Sequence, residues 1–166
     1  MTTVAYAAVT QSGLSFDRQL WMRPEIIPGL RKLTDAIHAE GAAAGIQLGH
    51  CGNMSHKSIC GCTPVGASSG FNLYSPTFVR GLRAGELPEM ARAYGKAVNL
   101  AREAGFDAVE IHAGHGYLIS QFLSPSTNHR KDEFGGSLEN RMRFMDMVME
   151  EVMKAAGSDM AVLVKM

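Results

Sequence analysis

Residues 105–144 read GFDAVEIHAGHGYLISQFLSPSTNHRKDEFGGSLENRMRF, and this stretch decides the fold. Its first part, Phe106–His112, is a short and mostly apolar run, which predicts a buried strand. A polar loop is predicted over Ala113–Gly136, and a helix follows it. Ser137 can cap this helix, and Glu139 lies in its first turn, where the helix dipole favours a carboxylate. The stretch therefore predicts a strand–loop–helix unit.

The same alternation extends toward both ends of the chain. Further strands are predicted at Thr3–Val9, Ala44–Gly49 and Met160–Lys165, and helices at Glu25–Glu40, Leu87–Ala104 and Ser137–Ala156. The segment from Cys51 to about Gly85 is predicted to be a long loop without regular structure, as is typical of a functional lid. The last helix is expected to bury one face, formed by Leu138, Met142, Met145, Val148 and Val152.

Alternating strands and helices predict an α/β fold with a parallel sheet covered by helices. Both a doubly wound sheet and part of a (β/α)8 barrel fit this order. No G-x-G-x-x-G motif follows the first strand, which disfavours a dinucleotide-binding Rossmann sheet. We therefore expect a partial (β/α)8 barrel of about four parallel strands and three helices, with the helices on one side only.

Composition excludes several classes of function. The chain has 166 residues, of which 46% are hydrophobic and 19% charged, so it can bury a core. Its 16 basic and 16 acidic residues cancel, which disfavours binding to nucleic acid or to an anionic membrane. No apolar run is long enough to span a bilayer, and the N-terminal residues lack the basic region of a signal peptide. We expect a cytoplasmic protein whose thiols, Cys51, Cys60 and Cys62, are reduced.

Polar side chains gather at the ends of the predicted strands, where α/β proteins place their active sites. In chain order they are Thr10, Gln11, Gln47, His50, His112, His115, Tyr117 and Lys165. Each has a structural alternative: His112 and His115 can brace the loop backbone, and Tyr117 can be a core aromatic. A metal site is not expected, since no carboxylate or cysteine completes a ligand set near the two histidines.

Residues 105–144 also resemble the signature of the Old Yellow Enzyme family of flavin oxidoreductases. The matching motifs are H-x-x-H-G-Y-L, Q-F-L-S-P and D-x-F-G-G-S-L-E-N-R, in that order, and IQLGHCG at 46–52 is similar to the family's Q-L-x-H-x-G element. The resemblance implies an FMN-dependent (β/α)8 barrel that reduces activated C=C bonds of small α,β-unsaturated molecules with NADH or NADPH.

The resemblance also implies a role for individual residues. Gln47 would hydrogen-bond the pyrimidine edge of the flavin, and Lys165 would lie near the flavin N1 and C2 oxygen. His112 and His115 would hold the electron-withdrawing oxygen of the substrate. Tyr117 would supply a proton to the substrate.

Compared with the family, residues 1–166 correspond to the central part of the barrel, without the first strand and the last three. Those last strands carry the loops that hold the FMN phosphate, so FMN binding by this chain is expected to be weak or absent. Lys165 stands where many members have Arg, and Cys51 and Asn53 lie where His-x-Gly-Arg is usual.

Two alternatives remain open. One is a non-catalytic partial barrel that binds no flavin and self-associates, as a homo-oligomer, through its open sheet edges at 3–9 and 160–165. The other is an open α/β module that binds a small anionic ligand.

Overall fold

The computed structural model describes all residues of the chain, 1–166. In chain order the strands are β1 (Thr2–Ala8), β2 (Ala44–Gly49), β3 (Val65–Gly66), β4 (Gly70–Asn72), β5 (Thr77–Gly81), β6 (Ala108–His112) and β7 (Ala161–Lys165). The helices are α1 (Ile27–Ala39), α2 (Lys57–Cys60), α3 (Leu87–Glu103), α4 (Leu118–Leu123) and α5 (Leu138–Ala156). No helix is both long enough and apolar enough to cross a membrane.

The main sheet contains four parallel strands in the order β1-β2-β6-β7, which is also their order along the chain. Each strand is therefore added on the same side of the previous one. Since parallel crossovers share one hand, such an order places the connecting helices on one face of the sheet. A doubly wound sheet would instead reverse its strand order at a switch point. The predicted partial (β/α)8 barrel is confirmed as an open arc, and the doubly wound alternative is excluded.

The two segments predicted as loops contain regular structure, so that part of the prediction is wrong. The first contains α2 and a small sheet in the order β3-β5-β4, and the second contains α4. These strands have two to five residues and α2 has four, which is too short to produce a periodic apolar pattern. The Phe71 and Phe78 rings pack edge to face across β4 and β5, with centroids 5.1 Å apart.

The buried face of α5 is also different from the predicted one. Its fully buried side chains are Phe144, Val148, Val152 and Ala156. Leu138 and Met142, which were expected to be buried, are 55% and 39% exposed. At about 100° per residue, Met142 lies nearly opposite Phe144 on the helix, so the two cannot share one face. The Phe122 ring of α4 packs against Phe144 with ring centroids 4.4 Å apart, and this contact selects the buried face.

The inner face of the sheet carries the polar side chains. Gln47 of β2 pairs in register with Glu110 of β6, and His112 pairs with Lys165 of β7. Gly49, at the end of β2, leaves room for its neighbours, because a Cβ atom there would lie 2.6 Å from the Tyr6 ring and 3.1 Å from His112 Cβ. Strand register and one glycine therefore bring the aromatic and imidazole rings together at the carboxyl end of the sheet.

Candidate active site

Three of the predicted site residues lie together after β6. His112 ends the strand, and His115 and Tyr117 follow on the next turn. The His112 Nε2 and His115 Nδ1 atoms are 3.3 Å apart. The Tyr117 ring lies beside the His112 ring, with a centroid distance of 4.8 Å. The arrangement presents two imidazoles and one phenol at the open end of the sheet.

The turn that carries these residues has an unusual backbone. His115 has a φ of +56° and Gly116 one of +71°, so both are in the left-handed region. That region is unfavourable for a residue with a side chain, and such residues are common at functional sites. Gln121 of α4 holds the turn by donating from Nε2 to the Gly116 carbonyl oxygen at 2.7 Å and to that of Cys51 at 3.2 Å.

Gln121 was not predicted as a site residue, although a signal for it exists. It is a buried polar side chain, 1% exposed, on a short helix whose other residues, apart from Ser120, are apolar. A buried amide must find hydrogen-bond partners. Its presence in a short, mostly apolar helix therefore indicates that it bonds to backbone groups nearby.

His112 is held neutral near pH 7. Burial, together with the neighbouring His115 and Lys165, lowers its pKa, and Glu110 opposes the shift. Its Nδ1 lies 3.4 Å from the Gly114 backbone N–H, which assigns the ring proton to Nε2. In this structure the Nε2–H of His112 donates to His115 Nδ1. The same N–H could donate instead to the oxygen of a bound molecule.

Gln47 of β2 and Glu110 of β6 are paired side by side on the inner face, two residues before His112 along the strands. Gln47 is 5% exposed, and its Nε2 donates to the Glu110 carboxylate. Because the amide nitrogen is used there, the Oε1 atom of Gln47 remains the available acceptor. Glu110 was not predicted, although its position two residues before His112 places both on one face of β6.

Lys165 lies at the end of β7, level with His112. Its backbone carbonyl accepts from the Ala113 N–H at 2.8 Å, and its side chain is exposed and makes no ion pair. The ammonium group is therefore available to an anionic partner above the inner face.

Tyr6 of β1 supports the site from below and was also missed. Its ring packs against His112 at 6.0 Å and against Tyr117 at 5.3 Å between centroids. Its hydroxyl donates to the Gly13 carbonyl oxygen at 2.6 Å. Burial raises the pKa of Tyr6 well above its ordinary value, so the phenol stays protonated and acts as a fixed support.

His50 does not belong to the open rim, although its place at a strand end suggested it. It is fully buried, and its Nδ1 accepts from the Gly52 N–H at 2.9 Å. Its Nε2 lies 3.0 Å from Ser12 Oγ, which also contacts Thr10 Oγ1 at 2.9 Å. Burial lowers the pKa of His50 to about 3. His50 therefore braces two loops as a neutral ring.

A cavity of about 550 Å3 lies next to His115, between the β4–β5 hairpin and residues 126–129. Its wall includes the aromatic side chains of Phe71 and Tyr74 and the hydroxyls of Ser126 and Thr127. A small organic molecule held by the histidines would have space there for its remaining atoms. No three His, Cys, Asp or Glu side chains converge to hold a metal ion.

Known proteins resemble this chain in sequence and in fold. The model of the NADH:flavin oxidoreductase / NADH oxidase family matches residues 1–166. The chain is 41% identical over 165 residues to the 4,4'-dithiodibutanoate disulfide reductase of Rhodococcus erythropolis, covering 99% of this chain and 41% of that protein. It is also 41% identical over 150 residues to an NADPH dehydrogenase of Bacillus subtilis, covering 90% of this chain and 44% of that protein.

Solved structures give the same result. The old yellow enzyme homologue from Zymomonas mobilis superposes with a TM-score of 0.88 at 34% identity, covering 95% of this chain and 48% of that one. Morphinone reductase superposes with a TM-score of 0.89 at 28% identity, covering 98% of this chain and 48% of that one. The chain thus spans half or less of the length of these relatives.

The burial of His50 predicts a pH dependence of stability. Its folded-state pKa of about 3 lies below the ordinary 6.5, so as the pH falls the unfolded chain binds a proton that the folded chain does not. Stability is therefore lost as the pH falls from 6.5 toward 3. We expect this residue to cost about 2 kcal/mol of unfolding free energy between pH 7.5 and pH 5, measured by urea denaturation.

The matched variant is His50→Asn, whose side chain can still accept from the Gly52 N–H. It should remove most of this pH dependence and keep the smaller contribution of His112, whose pKa is also lowered. If the unfolding free energy changed equally with pH in the original protein and in the variant, His50 would not be the source of the pH dependence.

Proposed function

The chain belongs to the NADH:flavin oxidoreductase / NADH oxidase family, and from this membership we propose that it supplies part of an FMN-dependent site that reduces activated C=C bonds. The observation that carries the proposal is the meeting of His112, His115 and Tyr117 at the carboxyl end of the sheet. Two nitrogen donors and a phenol at one open edge suit a substrate with a polarised oxygen.

The inner face offers groups that fit a flavin. The free Oε1 of Gln47 suits an N–H of the pyrimidine ring, and the unpaired Lys165 ammonium suits the edge where negative charge collects on reduction. FMN, when bound, supplies the hydride that it has received from NADH or NADPH, which no side chain can supply. Gln47 and Lys165 would therefore orient the ring against the sheet, and Lys165 would stabilise its charge.

His112 and His115 would bind the substrate through its electron-withdrawing oxygen. The Nε2–H of His112 now donates to His115, so a carbonyl oxygen would take over this donor and leave the second imidazole to offer its own N–H. Negative charge would develop on that oxygen as the β-carbon is reduced, and an N–H from each imidazole would stabilise it. A neutral His112 ring suits this role, because it still has one N–H to donate.

Tyr117 would deliver the proton. Its ring stands against those of His112 and Tyr6, which fixes where the hydroxyl can point. The phenol O–H carries a proton that it can transfer to the α-carbon as general acid.

The roles of Tyr117 and the histidines are separable by kinetics in a form of the protein extended to a complete barrel and loaded with FMN. Tyr117→Phe should slow alkene reduction by about 10²–10⁴-fold, because it removes the proton donor, and leave flavin reduction by nicotinamide almost unchanged. His112→Ala or His115→Ala should weaken binding of phenols and enones by about 1–3 kcal/mol. Stopped-flow absorbance of each half-reaction provides the measurement.

Tyr94→Phe is the matched control, since the Tyr94 hydroxyl is buried in the core without a hydrogen-bond partner. It should leave both half-reactions unchanged. If Tyr117→Phe slowed the two half-reactions equally, the tyrosine would not be the proton donor.

The 166-residue chain alone is expected to hold FMN poorly. Gln47 and Lys165 would contact only the ring, and the resemblance to the flavin family implies that loops of later strands hold the phosphate. Losing several charge-assisted hydrogen bonds, at about 1.5–3 kcal/mol each, raises the dissociation constant by several powers of ten. Fluorescence titration should therefore detect no FMN binding in the micromolar range. A yellow protein with stoichiometric FMN would contradict this expectation.

We also propose that the chain self-associates through its open strand edges. Leu163 and Val164 are 38% and 39% exposed, on opposite faces of β7, an edge strand that pairs with β6 on one side only. Exposed apolar edges recruit further strands, and lysines placed on them prevent this. Sedimentation velocity should show oligomers that the double variant Leu163→Lys, Val164→Lys converts to monomers.

Leu73→Lys is the control, because Leu73 is 81% exposed in the β4–β5 turn, away from the main sheet edges. It should leave the oligomers intact. A monomeric original protein at high concentration would overturn the proposal.

A further inference from the structure

A pair of thiols lies in the segment between β2 and α3, apart from the site described above. Cys60 ends α2, and Cys62 follows after a single glycine. Their sulfur atoms are 3.5 Å apart. Cys60 is 1% exposed, whereas Cys62 is open to solvent. The two sulfurs are thus in contact, and one of them can be reached from outside.

We propose that Cys60 and Cys62 form a redox modification site, at which a small polar disulfide converts the two thiols into an intrachain disulfide. A disulfide needs its sulfurs about 2.05 Å apart, so the existing contact requires only a small further approach. Gly61 between them has a φ of +73°, a left-handed conformation that folds Cys62 back over the end of α2. The space around Gly61 holds only Gln11 Nε2, 3.4 Å from the position of a Cβ atom, so the turn can tighten.

A cavity gives the reagent access to one sulfur. Cys62 lines an open pocket of about 600 Å3 together with the hydroxyl side chains of Thr10, Ser12 and Thr63. The pocket is also lined by apolar side chains such as Leu82 and by the charged Arg80 and Glu89, so it can hold a peptide-like disulfide that has both polar and apolar parts. Because Cys60 is buried, an external disulfide meets Cys62 first, and Cys60 can react only with the mixed disulfide that Cys62 has formed.

The exchange balances without any further reagent. The Cys62 thiolate attacks one sulfur of the external disulfide, forms a mixed disulfide and releases one thiolate. The Cys60 thiolate then attacks the Cys62 sulfur and releases the second. The protein loses two electrons and two protons, and the external disulfide gains them as two thiols.

The surroundings of Cys62 slow the first step of the exchange. Burial and the Cys60 sulfur raise the pKa of Cys62 to about 11, and Arg80 opposes the shift. The thiolate that must attack is therefore scarce at neutral pH.

Cys51 provides an internal control. It is fully buried, and its sulfur donates to the Leu14 carbonyl oxygen at 3.2 Å. Burial raises the pKa of its thiol to about 12. Cys51 should therefore stay reduced under conditions that oxidise the pair.

The test is mass mapping of the reduced 166-residue protein after incubation with oxidised glutathione at about pH 8.5, where more thiolate is present. Remaining thiols are alkylated after denaturation. Trypsin, which cuts after Lys57 and Arg80, leaves both cysteines in one peptide, residues 58–80. We expect this peptide to be about 2 Da lighter and free of alkyl groups, and Cys51 to be alkylated.

Two variants test the order of reaction. Cys60→Ser should stop at a mixed disulfide with glutathione on Cys62, whereas Cys62→Ser should leave the buried Cys60 unmodified in the folded protein. Peptide 58–80 with two alkyl groups after the incubation would overturn the proposal whether or not the variants fold. If Cys60 in the Cys62→Ser variant reacted with glutathione disulfide as fast as the pair does in the original protein, Cys62 would not be the first cysteine to react.

Discussion

The parallel register of β2, β6 and β7 is the constraint on which the rest of the site depends. It aligns Gln47 with Glu110 in one row and His112 with Lys165 in the next. The inner face therefore carries an amide beside a carboxylate and, one row further on, an imidazole beside an ammonium group. Because side chains alternate along a strand, a slip of one residue would turn each of them toward the helices. The apolar residues between them, such as Ile46 and Ile111, are fully buried on the helix side and hold the register in place.

A second constraint acts after β6, where the chain makes a left-handed turn to present His115. A side chain at positive φ is unfavourable, and the surrounding structure must hold it. Gln121 does this through the carbonyl oxygens of Gly116 and Cys51, and so connects the turn to the end of β2. The imidazole pair is thus positioned by hydrogen bonds from residues that do not face the open site.

Sequence reasoning located the parts of this structure that have a local signal. The four main strands and three long helices are apolar segments with a regular pattern in the sequence. The candidate residues His112, His115, Tyr117 and Lys165 lie at or just beyond strand ends, and Gln47 lies two residues before the end of β2. Tyr6, Glu110 and Gln121 were missed because their importance depends on which residues they meet across the sheet. His50 shows the reverse case, since its strand-end position suggested exposure and tertiary packing buried it completely.

The central claim is that the His112–His115–Tyr117 edge faces a flavin lying across Gln47 and Lys165. The most direct measurement is a crystal structure of the extended, FMN-loaded protein with a bound phenol. The account predicts the phenol oxygen within hydrogen-bond distance of both imidazoles, above a flavin ring that contacts Gln47 and Lys165. A flavin bound away from this face, or a phenol oxygen that contacts neither histidine, would contradict it.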